Sequence, residues 1–504
     1  MGVVCDNIHN LMHALDYWSP RMSPLLPTTD EEVQTQLITE AGISNEVFNI
    51  HEERIHCDMR SDEPEYLPDL ASKFEHFPSE ILGDIFVHTM TDDRAMLPST
   101  YTDSPWVLLG VCSWWREVAL GEHRLWGHLD VKGAKTSSVR RVVTMRLPQV
   151  WTHIQTFPIS LSLTVFDIDG DLDLRALLSP HSHRFSNLWL NVPLNVIYSF
   201  LFGPPITFDR LETLDLGCSR RPNIQDAPHA GPASFPALRS IKIRDLPGTT
   251  LSRFVIPHIP WFQIAHLNLS IPGLTYQDFK RTVGQCQNLV SLEITLYSMD
   301  PFSDPGFRVS AVEIHLPYLQ FLTLSMEKPR DLNIFGYFRL PSLKQLSVDV
   351  LNWMGNNVWN QGFFNNMIHL SGCSLTSLFL GSFNSIPSEV ILPQLTSLTS
   401  LVIFPLAGPV PGTIFDMMIR GELLRKLEHL ECYILSPISF LQLLEYQCKH
   451  LTFGRHRGLS VAKIMYKPPK EAHEIRELKE MNDRLAPLLE ASGRNILLIE
   501  CDDL

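Results

Sequence analysis

One six-residue apolar pattern, L-x-x-L-x-L in outline, recurs along most of this chain and limits what it can fold into. Its copies read FSNLWL (185–190), LETLDL (211–216), LRSIKI (238–243), IAHLNL (264–269), LVSLEI (289–294), LQFLTL (319–324), LKQLSV (343–348), LTSLFL (375–380), LTSLVI (398–403) and LEHLEC (427–432), and they start 23 to 32 residues apart. The alternation within each copy is that of a strand with one face turned inward. A single strand with its return cannot bury that face alone, so the copies must stack, each covering the next.

A period in the twenties with this strand signature is that of leucine-rich repeats. The returns agree: YQDFKRTVGQCQN (276–288) and FFNNMIHLSGC (363–373) have helical spacing, and a proline often precedes the strand, as in FPALRSIKI, LPYLQFLTL and LPSLKQLSV, which favours an extended approach. The Asn or Cys that usually stands three residues past the strand motif is missing, its places being held by Ser219, Leu246, Pro272, Tyr297 and Glu327. The expected fold is therefore α/β, an irregular solenoid of parallel strands with helical or irregular returns. We expect it over 185–466, preceded by a linking segment at 131–184 whose FPISLSLTV is a first strand. A C-terminal helical cap over 467–504 would place Ile475, Leu478, Leu485, Leu488 and Leu489 on one face, with NILLIE as a last strand.

Ahead of the repeats the character changes. Residues 1–73 carry the acidic stretches DEEVQ, HEER and SDEPEYLPD and are expected as an acidic arm, partly disordered with short helices. Residues 74–130 read as a small helical bundle. Pro78 suits a first helical turn, Glu80 complements the helix dipole, and Ile81, Leu82, Ile85 and Phe86 form an apolar face. A second helix is expected over 106–120, with Val111, Trp115 and Val118 on one face, and a third short element holds Leu125 and Trp126. Three of the chain's ten tryptophans fall within 114–126. So small a bundle buries little surface, and large aromatics compensate. Trp115 and Trp126 are read as bundle core, whereas Trp114 projects about 100° from Trp115 and is the candidate for a contact outside it.

Catalytic and metal-binding patterns are sparse. There is no G-x-S-x-G, P-loop or G-x-G-x-x-G. DIDGDLDL (167–174) lacks the Gly and Glu placement of a calcium loop and reads as a solvated turn, and the His pairs of HSH (181–183) and HEERIHC (51–57) have nothing nearby to complete a tetrahedral set. No cofactor and no enzymatic activity are expected. A net charge of −14, from 41 basic and 55 acidic residues with no basic run, argues against nucleic acid as partner. Nine scattered cysteines without C-x-x-C suit a reducing compartment. No apolar stretch reaches membrane-spanning length, no signal peptide is evident, and MGVVCD and CDDL depart from lipidation signals, so cytoplasm or nucleus is expected, with no membrane partner.

The combination resembles an F-box protein with leucine-rich repeats, and is similar to a large fungal group whose repeats are degenerate. The box's opening Leu-Pro-x-Glu-Ile-Leu corresponds to Phe77, Pro78, Ser79, Glu80, Ile81 and Leu82, its Val-Cys-x-x-Trp-Arg to Val111 through Arg116, and its late Leu-Trp to Leu125 and Trp126. Phe77 stands where the family has Leu. The resemblance implies a non-catalytic subunit of a Skp/cullin/F-box ubiquitin ligase, in which the box docks on a Skp-type adaptor and through it on cullin, while the repeats hold a protein target, one copy per complex. It assigns adaptor contact to Phe77, Pro78, Glu80, Ile81, Leu82, Ile85, Val111, Cys112 and Trp114, and bundle-core roles to Trp115, Val118, Leu125 and Trp126.

Third and fifth positions of the strand motif face away from the core, so a target is expected to meet Trp189, Asp215, Lys242, His266, Glu293, Phe321, Gln345, Phe379, His429 and Glu431. Two other readings stay open. The chain could be an interaction scaffold acting without cullin, or a hydrolase or transferase whose site is assembled from distant repeats.

Overall fold

A computed structural model describes the chain from residue 77 to residue 501, apart from 91–94, 98–104, 134–146, 155, 166–172, 203, 220–232, 247–258, 298–313, 328–333, 352–358, 360, 382, 384–385, 405–408, 451–457, 470 and 493. The expected acidic arm, HEERIHC, most of the aspartate run and the terminal Asp-Asp-Leu lie outside the described residues. The chain divides into two compact units. Among the described residues, the first takes in 77–95 and 105–125, and the second 96–97 and everything from Trp126 onward.

The first unit is built on helix α1 (Ser79–Thr89) and helix α2 (Ser113–Gly121). Pro78 stands just before α1, and its carbonyl accepts the N–H groups of Ile81 and Leu82, both at 3.1 Å. The single helix expected over 106–120 is instead two pieces, a 3₁₀ turn at Trp106–Gly110 and then α2. The break has a local cause: Gly110 is a poor helix former, and Cys112 takes an extended backbone (φ −157°, ψ 174°) from which its Sγ accepts the N–H of Trp115. Val111 is thereby left in the turn and not on the helix. Leu82 and Phe86 from α1 pack with Trp115, Val118 and Ala119 from α2, all buried, and the Phe86 and Trp115 rings lie 4.9 Å apart.

The second unit is a fifteen-stranded sheet whose strands follow chain order. They are β1 (Ala95–Leu97), β2 (His128–Gly133), β3 (Ile159–Val165), β4 (Phe185–Val192), β5 (Thr213–Cys218), β6 (Ser240–Arg244), β7 (His266–Ser270), β8 (Ser291–Leu296), β9 (Phe321–Met326), β10 (Gln345–Val350), β11 (Ser377–Leu380), β12 (Ser400–Ile403), β13 (His429–Ile434), β14 (Val461–Tyr466) and β15 (Asn495–Glu500). From β2 onward neighbours pair in parallel. Parallel order requires a crossover between strands, and the returns supply it. They include α3 (Leu147–Ile154), α4 (Leu194–Leu201), α5 (Tyr276–Val283), α6 (Gln361–Ser371), α7 (Gly412–Ile419), α8 (Ile438–His450) and α9 (Ala472–Ser492).

Two unbroken apolar rows cross the inner face. One runs Leu188, Leu214, Ile241, Leu267, Leu292, Leu322, Leu346, Leu378, Leu401 and Leu430, each no more than 3% exposed. Register holds despite the missing Asn or Cys; from β4 onward the variation lies in the returns. Between β3 and β4 the register shifts at Ile159–Ser160. The prolines before the strands stand inside tight turns: Leu319 donates to the Leu316 carbonyl and Leu343 to that of Leu340, with Pro317 and Pro341 at the second turn position, where a fixed φ is favourable. The expected apolar face of the C-terminal helix is only partly used. Leu478, Met481 and Leu485 are buried, while Ile475 is 51% exposed.

Candidate functional site

Two surfaces hold the residues singled out from the sequence. On the first unit, Pro78, Glu80, Ile81 and Val111 are exposed, and Phe77, Ile85, Cys112 and Trp114 are half-buried. Leu82 is a correction: expected at the adaptor surface, it is wholly buried, because the α1 face that packs inward is Leu82, Gly83 and Phe86, leaving Ile81 outside at 45% exposed. Trp114 shows part of its ring to solvent, while its indole nitrogen is covered and has no hydrogen-bond partner. Trp115, Val118 and Leu125 are buried in this unit, whereas Trp126, also buried, belongs to the second.

Polar contacts hold that unit's shape. Arg116 Nε donates to the Leu109 carbonyl at 2.9 Å, satisfying the end of the 3₁₀ turn. Arg124 bridges Glu122 (2.7 Å) and Asp84 (2.6 Å), tying the segment after α2 to α1. The hydrogen bond from Arg124 pulls the Glu122 carboxyl below its ordinary value against the opposing effect of burial. Sequence reasoning passed over Arg124 because its partner Asp84 lies 40 positions away.

The second surface is the open face of the sheet. Register places one outward residue per strand in a continuous row, Asp130, Ser162, Trp189, Asp215, Lys242, Asn268, Glu293, Thr323, Ser347, Phe379, Val402, Glu431, Lys463 and Leu497. A second row holds His266, Phe321, Gln345 and His429. All ten target candidates thus lie in two rows on one face. His266, Glu293, Phe321 and Gln345 are exposed, Trp189, Lys242, Phe379, His429 and Glu431 half-buried, and Asp215 buried.

Several charges on this face are paired. Arg244 grips Asp215 with two bonds, Nη2 to Oδ2 at 2.9 Å and Nε to Oδ1 at 3.2 Å. Lys463 meets Glu431 at 2.6 Å, and Asp130 accepts from Lys132 and Ser162, both at 2.9 Å. Burial pushes the Asp215 carboxyl above its usual value even though Arg244 and Lys242 pull the other way. Arg244 stands one residue past the six-residue motif and so escapes it; continuing the outward alternation two positions on from Lys242 finds it. The face also changes along its length. From β5 to β10 its central row is mostly polar, and at β11–β15 it carries Phe379, Val402 and Leu497, with Phe404 just past β12.

Among the described residues no cluster of three or more His, Cys, Asp or Glu could hold a metal ion, and no helix is long and apolar enough to cross a membrane. The described cysteines are free, and burial raises the thiol of Cys286 to about 12. No protein-family model and no curated protein matches the chain.

Proposed function

We propose that this chain is the substrate-recognition subunit of a Skp/cullin/F-box ubiquitin ligase, with an F-box in its first unit and leucine-rich repeats in its second. The observation that carries the reading is the first unit's division of its apolar residues. Leu82, Phe86, Trp115 and Val118 make the core, while Ile81 and Val111 stay about half exposed and Trp114 keeps part of its ring outside. A bundle this small gains by burying every large apolar side chain, so those left out are available to a partner. The long face, with its ion pairs and its aromatic side chains spread along the strands, suits a protein target better than a small molecule, which needs a concave pocket. Ubiquitin transfer would then depend on proximity: a held lysine meets an activated thioester at high effective concentration.

The test is co-purification of the full chain with a Skp-type adaptor and the cullin N-terminal domain, beside the variant Ile81→Asp/Trp114→Ala. A ternary complex lost in a variant that keeps its thermal transition supports the reading. Adaptor binding without cullin favours the scaffold, and a folded wild type that binds no adaptor sinks the proposal.

A further inference from the structure

Three of the four acidic residues in the central row of the open face have a base: Asp130 has Lys132, Asp215 has Arg244 and Glu431 has Lys463. Glu293 differs. It is exposed, and among the described residues its carboxylate has neither an ion pair nor a hydrogen bond. No lysine or arginine stands on the open face of β7, β8 or β9. The nearest base in its row, Lys242, is two strands away and lies beside Asp215. A cation for Glu293 must therefore come from outside these strands.

Its surroundings narrow what that cation is. Ser291, on the same strand and face, stands in register between His266 of β7 and Phe321 of β9. Both rings are exposed, Phe321 at 38%, while the small serine between them is half-buried. The row thus has a gap with a flat ring on either side. Strands lie about 4.8 Å apart, so the backbones carrying the two rings are roughly 10 Å apart. A flat group stacked on both rings needs two contacts of about 3.5–4.0 Å, which that spacing accommodates. Glu293, two residues beyond Ser291, is the diagonal neighbour of both rings and stands at one end of the gap.

We propose that this gap takes an arginine side chain of the protein target, its guanidinium flat between His266 and Phe321 and forked onto Glu293. The proposal rests on the reading of the open face as the target-binding surface and specifies a residue the target must present. A guanidinium is planar, weakly hydrated and able to give two parallel hydrogen bonds to one carboxylate while its faces stack on rings. A lysine ammonium is compact and strongly hydrated, and it has no flat face to stack. A phosphorylated or acidic segment is repelled by Glu293 and by a chain of net charge −14. Asn268 and Thr323 flank Glu293 in its row and offer side-chain oxygens to the guanidinium N–H groups that the carboxylate does not take.

The experiment selects a phage-displayed random peptide library on the full chain and, in parallel, on Glu293→Gln. Peptides selected on the wild type are expected to hold arginine at one fixed position, and those selected on Glu293→Gln to lose that preference. The leading peptide, followed by fluorescence anisotropy, should bind about tenfold more weakly when its arginine is replaced by lysine, or when the chain carries Glu293→Gln or Phe321→Ala. Both chain variants lie at exposed positions and should keep the wild-type thermal transition. A selection that yields no peptide overturns the proposal, as does one without a fixed arginine. So does a leading peptide whose affinity ignores Glu293→Gln and Phe321→Ala. The ligase reading fails separately, in the adaptor and cullin co-purification, because Glu293 and Phe321 belong to the second unit and the adaptor contacts are proposed on the first.

Discussion

Cys112 Sγ accepts the backbone N–H of Trp115 at 3.4 Å, which fixes where α2 begins and which way Trp115 points. The Val-Cys-x-x-Trp-Arg spacing thus has a local physical meaning. Cys112 caps the helix, Trp115 three residues on enters the core against Phe86, and Arg116 reaches back to the Leu109 carbonyl. Serine accepts such bonds better than a thiol. Cys112→Ser should leave the unit at least as stable, whereas Cys112→Val should cost about 1 kcal/mol. Chemical denaturation followed by tryptophan fluorescence reads both.

Neighbouring residues of α1 should separate folding from binding. Leu82→Ala removes a wholly buried side chain and should destabilise the unit by about 3 kcal/mol. Ile81→Asp, one residue earlier and 45% exposed, should change stability by less than about 0.5 kcal/mol. If the ligase reading holds, Ile81→Asp still lowers adaptor affinity, measured by calorimetry. Equal stability losses in the two variants would show that the α1 surface is core after all.

The Arg244–Asp215 pair should respond asymmetrically, because Asp215 is buried and the Arg244 side chain is 42% exposed. Arg244→Met leaves a buried carboxylate without its fork and should cost about 2 kcal/mol. Asp215→Asn leaves an arginine that water can solvate and should cost less than about 1 kcal/mol. Acidity gives the sign. Burial raises the Asp215 carboxyl above its unfolded value, so the folded chain takes up that proton first as pH falls. The penalty of the charged form is complete above the folded value and is gone below the unfolded one. Removing Arg244 raises the folded value further. The Arg244→Met deficit should therefore shrink on acidification, checked by melting temperatures across pH.

Gly381 follows β11, and a Cβ there would run into the Asp349 carboxylate, whose own Cβ would lie 3.0 Å away. Gly381→Ala should destabilise the second unit by about 1–2 kcal/mol, and Asp349→Gly in the same chain should recover part of it. A Gly381→Ala variant with an unchanged denaturation midpoint would contradict this.

The stacked parallel sheet and its inner rows were legible in the residues alone, because alternation over six residues is a local pattern with one stable way to be buried. Alternation also placed all ten target candidates on one face, since strand period alone decides inside from outside. Tertiary structure decided what periodicity cannot see. Ile81 and Leu82 are adjacent apolar residues, and only the packing partner on α2 selects Leu82 for the core. Arg244 finds Asp215 across 29 positions through strand register, and Arg124 finds Asp84 across 40.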